Sequence, residues 1–163
     1  MHACTVLRAI AKPAGRIVEQ QTFPGTLDAL EPIRKYVEVA AHSAGLDHKA
    51  VYKLCLAVDE IATNVVLHGY EEAGLNGDLK VGASVEDDNL VIRLEDHGKP
   101  YDPQSHVVPD AEELSRHLQS RDIGGLGIFL ALDGVNDLQY VTTDDKNVHR
   151  FIVHLPRGKE SKI

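Results

Sequence analysis

The sequence predicts a two-layer sandwich of the α+β kind, helices packed on a largely antiparallel sheet, and three observations lead there. Residues 27–44 and 51–65 carry apolar side chains three and four apart, the period of a helix with one buried face. Residues 79–85 and 90–94, and again 138–142 and 148–155, alternate apolar with polar around short polar turns, as hairpins do. The resulting order, β-β-α-α-β-β-lid-α-β-β, sets strand beside strand and leaves helices to cover them.

In chain order, Val6, Arg8 and Ile10 alternate with Leu7 and Ala9, and residues 16–19 read as extended. The Lys12-Pro13-Ala14-Gly15 break between them predicts a hairpin or a two-strand entry. Leu27, Leu30, Ile33, Val37, Ala40 and Ala44 form the stripe of a first helix, capped by Thr26 or Asp28, entered near Pro32 and ended by Gly45. Asp47 is the expected N-cap of a second helix with the stripe Val51, Leu54, Val58, Ile61 and Val65, closed by Gly69 or Gly74. Leu79, Val81, Ala83 and Val85, then Leu90, Ile92 and Leu94, read as a hairpin turning at Glu86-Asp87-Asp88-Asn89.

From His97 to Asp122 the apolar period disappears, and Pro100, Pro103 and Pro109 punctuate the chain. Asp110-Ala111-Glu112-Glu113 has the pattern of a capping box and predicts one short helix there. The stretch of about 103–122 is expected to be a lid, because long irregular segments in compact domains are usually functional. Residues 123–132 read as a helix entered through glycines, and the last two strands turn at Thr143-Asp144-Asp145-Lys146-Asn147. A polar tail, 157–163, is expected to fray.

Length and charge narrow the function. The 163 residues, 17.9 kDa, fit a single domain over 1–163, able to bury roughly two-thirds of its unfolded surface. Twenty-five acidic against 17 basic side chains give a formal charge of -8, whose field opposes nonspecific binding to nucleic acid or an anionic membrane. An anionic ligand therefore needs a local site strong enough to overcome that field. Cys4 and Cys55 stand far apart with no Cys-x-x-Cys pair, which excludes a disulfide scaffold and a thiolate zinc site and points to a reducing compartment. With no basic-then-apolar leader and no run near ~18 apolar residues, a cytoplasmic location is expected. The nine histidines form no His-Glu-x-x-His, and His149 and His154, five apart in a strand, point to opposite faces, so no transition-metal site is expected. Cys55, between Leu54 and Leu56, reads as core, and His97 as a solvated loop histidine.

Three segments carry chemistry. Glu60 and Asn64, four apart on the second helix, share a face with His68 one turn further on; a carboxylate and an amide so placed can serve as a general base and an oxygen ligand for Mg²⁺. A solvated polar stripe would look the same on its own. Glu95-Asp96-His97-Gly98-Lys99-Pro100-Tyr101-Asp102 begins where the strand of Leu90, Ile92 and Leu94 runs out, so a carboxylate there can accept from an exocyclic amine beside a glycine that lets a ligand approach; a surface turn is the plain alternative. Gly124, Gly125, Leu126 and Gly127 open a helix, leaving N–H groups free for phosphate at its positive end, although a hinge would use the same glycines. No Gly-Lys-Ser/Thr follows them, so this is not a Walker loop.

In this order and spacing the three segments resemble the N, G1 and G2 boxes of the GHKL ATP-binding superfamily, and most closely its bacterial anti-sigma serine/threonine kinase branch. Val58-Asp59-Glu60-Ile61-Ala62-Thr63-Asn64-Val65-Val66-Leu67-His68-Gly69-Tyr70 looks like that branch's N box almost throughout. Asp96-His97-Gly98-Lys99-Pro100-Tyr101-Asp102-Pro103 looks like its G1 box, with tyrosine where phenylalanine is frequent, and Gly124-Gly125-Leu126-Gly127-Ile128 matches G2.

The resemblance implies the Bergerat-type α/β sandwich, helices on one face of a mixed, mostly antiparallel sheet. It implies ATP and Mg²⁺ as cofactors, with Asn64 as the metal ligand and Glu60 as the base toward an acceptor hydroxyl. Asp96 would read the adenine amino group, Gly98 would keep that pocket open, and the amides at Gly124, Gly125, Leu126 and Gly127 would hold phosphates. Of the two lid arginines, Arg116 and Arg121, either could reach the γ-phosphate, and Arg121 is taken as the catalytic one. The implied function is a regulatory protein serine/threonine kinase and anti-sigma factor. It would phosphorylate a STAS-domain anti-anti-sigma partner, hold a sigma factor, form a homodimer as the family often does, and use neither nucleic acid nor membrane. A non-catalytic ATP-responsive module of the same fold is the alternative. The ATP-binding half of a histidine kinase ranks below both, since no histidine here is followed by Glu or Asp.

Overall fold

The computed structural model describes residues 18–102 and 132–157. Strands β1 (Val18–Pro24), β2 (Asp78–Glu86), β3 (Asn89–Asp96), β4 (Asp137–Thr142) and β5 (Asn147–His154) form one sheet in the order β1-β2-β3-β5-β4. All four pairings among these strands are antiparallel. Helices α1 (Leu30–Ser43) and α2 (His48–Asn64) lie on one face, which gives the two-layer arrangement expected from the sequence.

Period-2 alternation places one row of apolar side chains across the sheet. Ala83, Ile92, Phe151 and Leu138 are successive register partners, and all four are buried on the helical side. Against them pack Ile33, Val37 and Ala40 of α1 and Val51, Leu54, Val58 and Ile61 of α2, with Val65 just beyond. Burying one such Ile, Leu or Val side chain contributes about 1.5–3 kcal/mol. The opposite face is bound by charge. Glu95 takes Arg93 at 3.0 Å and Lys146 at 2.9 Å, while Glu86 takes Arg150 at 2.7 Å.

Local chemistry fixes the boundaries. Asp47 caps α2 as expected, its Oδ1 accepting from the Ala50 N–H at 2.8 Å. The β2–β3 hairpin turns through Asp87 and Asp88, both at positive φ (47° and 64°), the geometry that lets a two-residue turn follow the strand twist. Asp tolerates that conformation better than most residues.

Several expectations shift. A 3₁₀ turn, Leu27–Ala29, precedes α1, so Leu27 lies outside the helical stripe and is 46% exposed. Thr26 takes the N-cap position of that turn without a side-chain hydrogen bond, and Asp28 falls inside the turn. Pro32 sits in the first turn of α1, where a missing N–H costs nothing. The extended stretch expected at 16–19 is, in the described residues, a strand that runs on to Pro24 and pairs with β2. The second helix does not close at Gly69: it widens into a π segment, Val65–Glu71, and the chain turns at Gly74, φ +66°. The expected strand at 6–10, the lid near 103–122 with its short helix, Cys4, most of the helix at 123–132 and all but Arg157 of the tail lie outside the described residues.

Candidate nucleotide site

Asp96 ends β3 on the helical side of the sheet and is 1% exposed. One carboxylate oxygen is committed: Oδ1 accepts from the Gly98 N–H and from Asn147 Nδ2, both at 2.9 Å. The other, Oδ2, is buried with no hydrogen-bond partner. Leaving a carboxylate oxygen unpaired away from water is expensive, so an orphan of this kind calls for a ligand, an ion or a water to satisfy it. Burial raises the Asp96 pKa, and the bonds from Asn147 and Gly98 pull it back, so the charged form is held by donors on one side only.

Asn147 is the keystone. It begins β5, is 3% exposed, and its amide bridges Asp96 Oδ1 and the Gly98 carbonyl at 2.9 Å each. Its own oxygen accepts from Thr142 Oγ1 at 2.8 Å and from the Tyr140 hydroxyl at 3.3 Å. Next along β5, the buried His149 packs its ring on Tyr140, centroids 4.8 Å apart. Burial drives the His149 pKa down from 6.5 to about 4, so the imidazole is neutral.

The second wall is the end of α2 with the π segment. Glu60 and Asn64 are half-buried on α2, and their side chains make no hydrogen bond among the described residues. Burial, assisted by the neighbouring Asp59 charge, raises the Glu60 pKa, which makes it a better proton acceptor. Asp59 itself turns away to pair with Arg34 of α1. π-Helical turns are rare and favour functional sites; here the widening begins directly after Asn64.

Contacts of the π segment join the two walls. The Lys99 N–H donates to the Gly69 carbonyl at 2.8 Å, and a Cβ on Gly98 would sit 2.8 Å from Gly69 backbone atoms. The demand for glycine at 98 therefore has a source besides a ligand: the helix end itself. The Tyr70 hydroxyl accepts from the His97 N–H at 2.9 Å and donates to the Asp78 carbonyl at 2.8 Å. The His68 ring stacks on Tyr101, centroids 5.6 Å apart. The exposed His97 is anchored rather than free, its Nδ1 bonded to the Asp145 carbonyl at 2.6 Å.

Thus Glu60, Asn64, Asp96 and Gly98 are borne by elements the fold brings together. Gly124, Gly125, Leu126, Gly127, Arg116 and Arg121 lie outside the described residues. The sequence reading assigned no site role to Asn147, Tyr70 or His149: Asn147 and His149 stand in no motif, and Tyr70 closes the N-box run without a chemistry of its own there. Cys55 is buried, and burial raises its thiol to about 11, as befits core. Among the described residues no group of three or more His, Cys, Asp or Glu side chains is placed to hold a metal ion. No helix among them is long and apolar enough to cross a membrane.

Comparison with known proteins gives the chain a family and a shared fold. Residues 23–153 match the family described as Histidine kinase-like ATPase domain. A protein of Listeria monocytogenes serotype 4a named Serine-protein kinase RsbW is 29% identical over 100 residues, 61% of this chain and 63% of that one. Its namesake from Halalkalibacterium halodurans is 28% identical over 116 residues, 68% and 67% of the two chains. The chain thus spans a little under two-thirds of the Listeria relative's length. A chain of the SiaB–SiaC complex from Pseudomonas aeruginosa shares the fold at a TM-score of 0.61 and 16% identity, over 85% of this chain and 90% of that one. The RsbU and RsbW domains of a Mycobacterium tuberculosis protein share it at 0.57 and 17%, over 86% and 34%.

Proposed function

The chain belongs to the histidine kinase-like ATPase domain family, and on that premise we propose that it is an ATP-dependent protein serine/threonine kinase. In this reading it acts as an anti-sigma regulator in a partner-switching system, phosphorylating a serine or threonine of a STAS-domain antagonist. The observation that carries the nucleotide part is the orphaned Asp96 Oδ2, a buried acceptor at a strand end beside the helix that bears Glu60 and Asn64. An exocyclic amine satisfies that oxygen, whereas a carbonyl at the same place repels it, so adenine is preferred to guanine.

Asn64 offers an amide oxygen that suits Mg²⁺, an ion that keeps most of its ligands as water and phosphate and needs few from protein. Mg²⁺ there would neutralise phosphate charge. Glu60 takes the proton of the acceptor hydroxyl as that oxygen bonds to the γ-phosphorus and the bond to ADP breaks. Its raised pKa and half-buried position suit that task. Gly124, Gly125, Leu126 and Gly127 would donate backbone N–H groups to the phosphates, and Arg121 would meet the γ-phosphate. The names of the Listeria and Halalkalibacterium relatives support the kinase assignment. The phosphate added to a partner brings about -1.5 to -2 charge to the contact and separates the two proteins. A sigma factor as second partner, a homodimer and a cytoplasmic location complete the proposal.

Phosphotransfer in host lysate tests it. The purified chain, Mg²⁺ and γ-labelled ATP should label one small protein on Ser or Thr. Glu60→Gln should lower that transfer by about 10²–10⁴-fold while leaving ATP affinity near wild type. Equal transfer by the variant removes Glu60 as the base. ATP binding with no transfer from either protein favours the non-catalytic module.

A further inference from the structure

The unpaired Asp96 oxygen has a neighbour that the nucleotide reading does not use. His149, on the adjacent strand, is 1% exposed, and its imidazole forms no hydrogen bond among the described residues. Nδ1 is buried without a partner, and Nε2 stands 3.8 Å from Asp96 Oδ2, too far for a direct bond. A neutral imidazole has one N–H and one bare nitrogen. Placing the proton on Nε2 turns the N–H dipole toward the carboxylate, the favourable sense in a low-dielectric site, and leaves Nδ1 bare. The two strands then present a buried acceptor oxygen without a partner and, beside it, an N–H that no described residue accepts. Their complement is an amidine edge, an amine next to a bare ring nitrogen.

We propose that Asp96 and His149 read that edge of adenine together, Asp96 Oδ2 accepting from the exocyclic amine and His149 Nε2 donating to ring nitrogen N1. This rests on the nucleotide reading above and extends it from the amine to the ring. Hypoxanthine and guanine present the reverse pattern, a carbonyl toward the carboxylate and an N–H toward the N–H. Both contacts therefore reject them, and a site with buried polar groups left unpaired discriminates far more strongly than one that merely fits.

Binding titrations on the whole chain with Mg²⁺ test the N1 contact apart from the amine. ATP, inosine triphosphate and 1-deaza-ATP, which keeps the amine but has C–H in place of N1, are compared on wild type and His149→Phe. Wild type should bind 1-deaza-ATP about tenfold more weakly than ATP, one hydrogen bond's worth, and inosine triphosphate more weakly still. His149→Phe should lose about tenfold for ATP and no longer distinguish ATP from 1-deaza-ATP, the mark of a direct coupling in a double-mutant cycle. Wild type binding the two equally, or a discrimination that survives in His149→Phe, overturns the assignment. The wild-type comparison stands if the variant does not fold. Failure of wild type to bind ATP at all is a different result, which removes the nucleotide reading and this inference with it.

Discussion

Asn147 uses all of its hydrogen-bonding directions on the protein: two donated bonds fix Asp96 and Gly98, and two accepted bonds come from Thr142 and Tyr140. A carboxylate whose near oxygen is held this way cannot rotate, so the far oxygen keeps one direction into the site. Truncation by Asn147→Ala removes a donor from a buried charged acceptor and strands the Gly98 carbonyl. The expected cost is about 1.5–3 kcal/mol in urea unfolding, together with weaker ATP binding because Asp96 is no longer oriented. Wild-type stability and affinity in that variant would show that the bonds hold nothing. No property of the sequence marks this residue. In the sequence it reads as the end of a polar turn like any other, and the carboxylate it serves lies 51 positions earlier. Glu60, Asn64 and Asp96 were legible because their motifs are local; the residue that orients Asp96 was not, because its role exists only across two strands.

Helix α2 and its π extension show the same division at the scale of an element. The stripe from Val51 to Ile61 is buried as its period requires, because a 3.6-residue repeat projects directly onto one face. The widening at Val65–Glu71 has no periodic signature, and Gly69 reads in the sequence as a helix stop. In the structure it is the surface against which Gly98 closes. The two glycines of that contact differ in sign. A Cβ at 98 meets the Gly69 backbone at 2.8 Å, whereas a Cβ at 69 finds its nearest neighbour, the Lys99 carbonyl, at 3.6 Å, an ordinary contact. Gly98→Ala should therefore cost about 1–3 kcal/mol, since backbone must shift, and should loosen the wall that carries Asp96. Gly69→Ala should be neutral or stabilising by up to about 1 kcal/mol, because alanine favours helical backbone over glycine. Thermal unfolding of the two variants side by side checks the pair; losses of equal size would mean that the close approach is not what demands glycine at 98.

For the whole molecule, the layers were legible because both periods, 3.6 and 2, translate into burial without knowledge of tertiary contacts. The edge strand β1 was legible only at its start, since Gln20, Gln21 and Thr22 are all exposed and carry no alternation. What periodicity cannot reveal is a polar residue on a core face, and His149 is one: it stands two positions before Phe151 on the helical side of β5. That position makes folding itself depend on pH. Above 6.5 the imidazole is neutral in both states; as pH falls toward about 4 the unfolded chain takes up a proton that the folded chain refuses, so stability declines across that interval. The full decline amounts to about 3 kcal/mol. Asp96 and Glu60 act in the opposite sense. Burial raises both, so their contribution to stability is present below the ordinary carboxylate range and is lost as pH rises through their raised values. The acid limb should therefore fall from pH 6.5 and flatten at its low end rather than steepen. His149→Phe keeps a ring of similar size with nothing to protonate, and its urea midpoint should hold nearly constant between about pH 6.5 and 5 while that of wild type falls. Parallel slopes for the two proteins would mean that the imidazole takes up its proton in the folded state, which a neutral, buried reader of a nucleobase does not do.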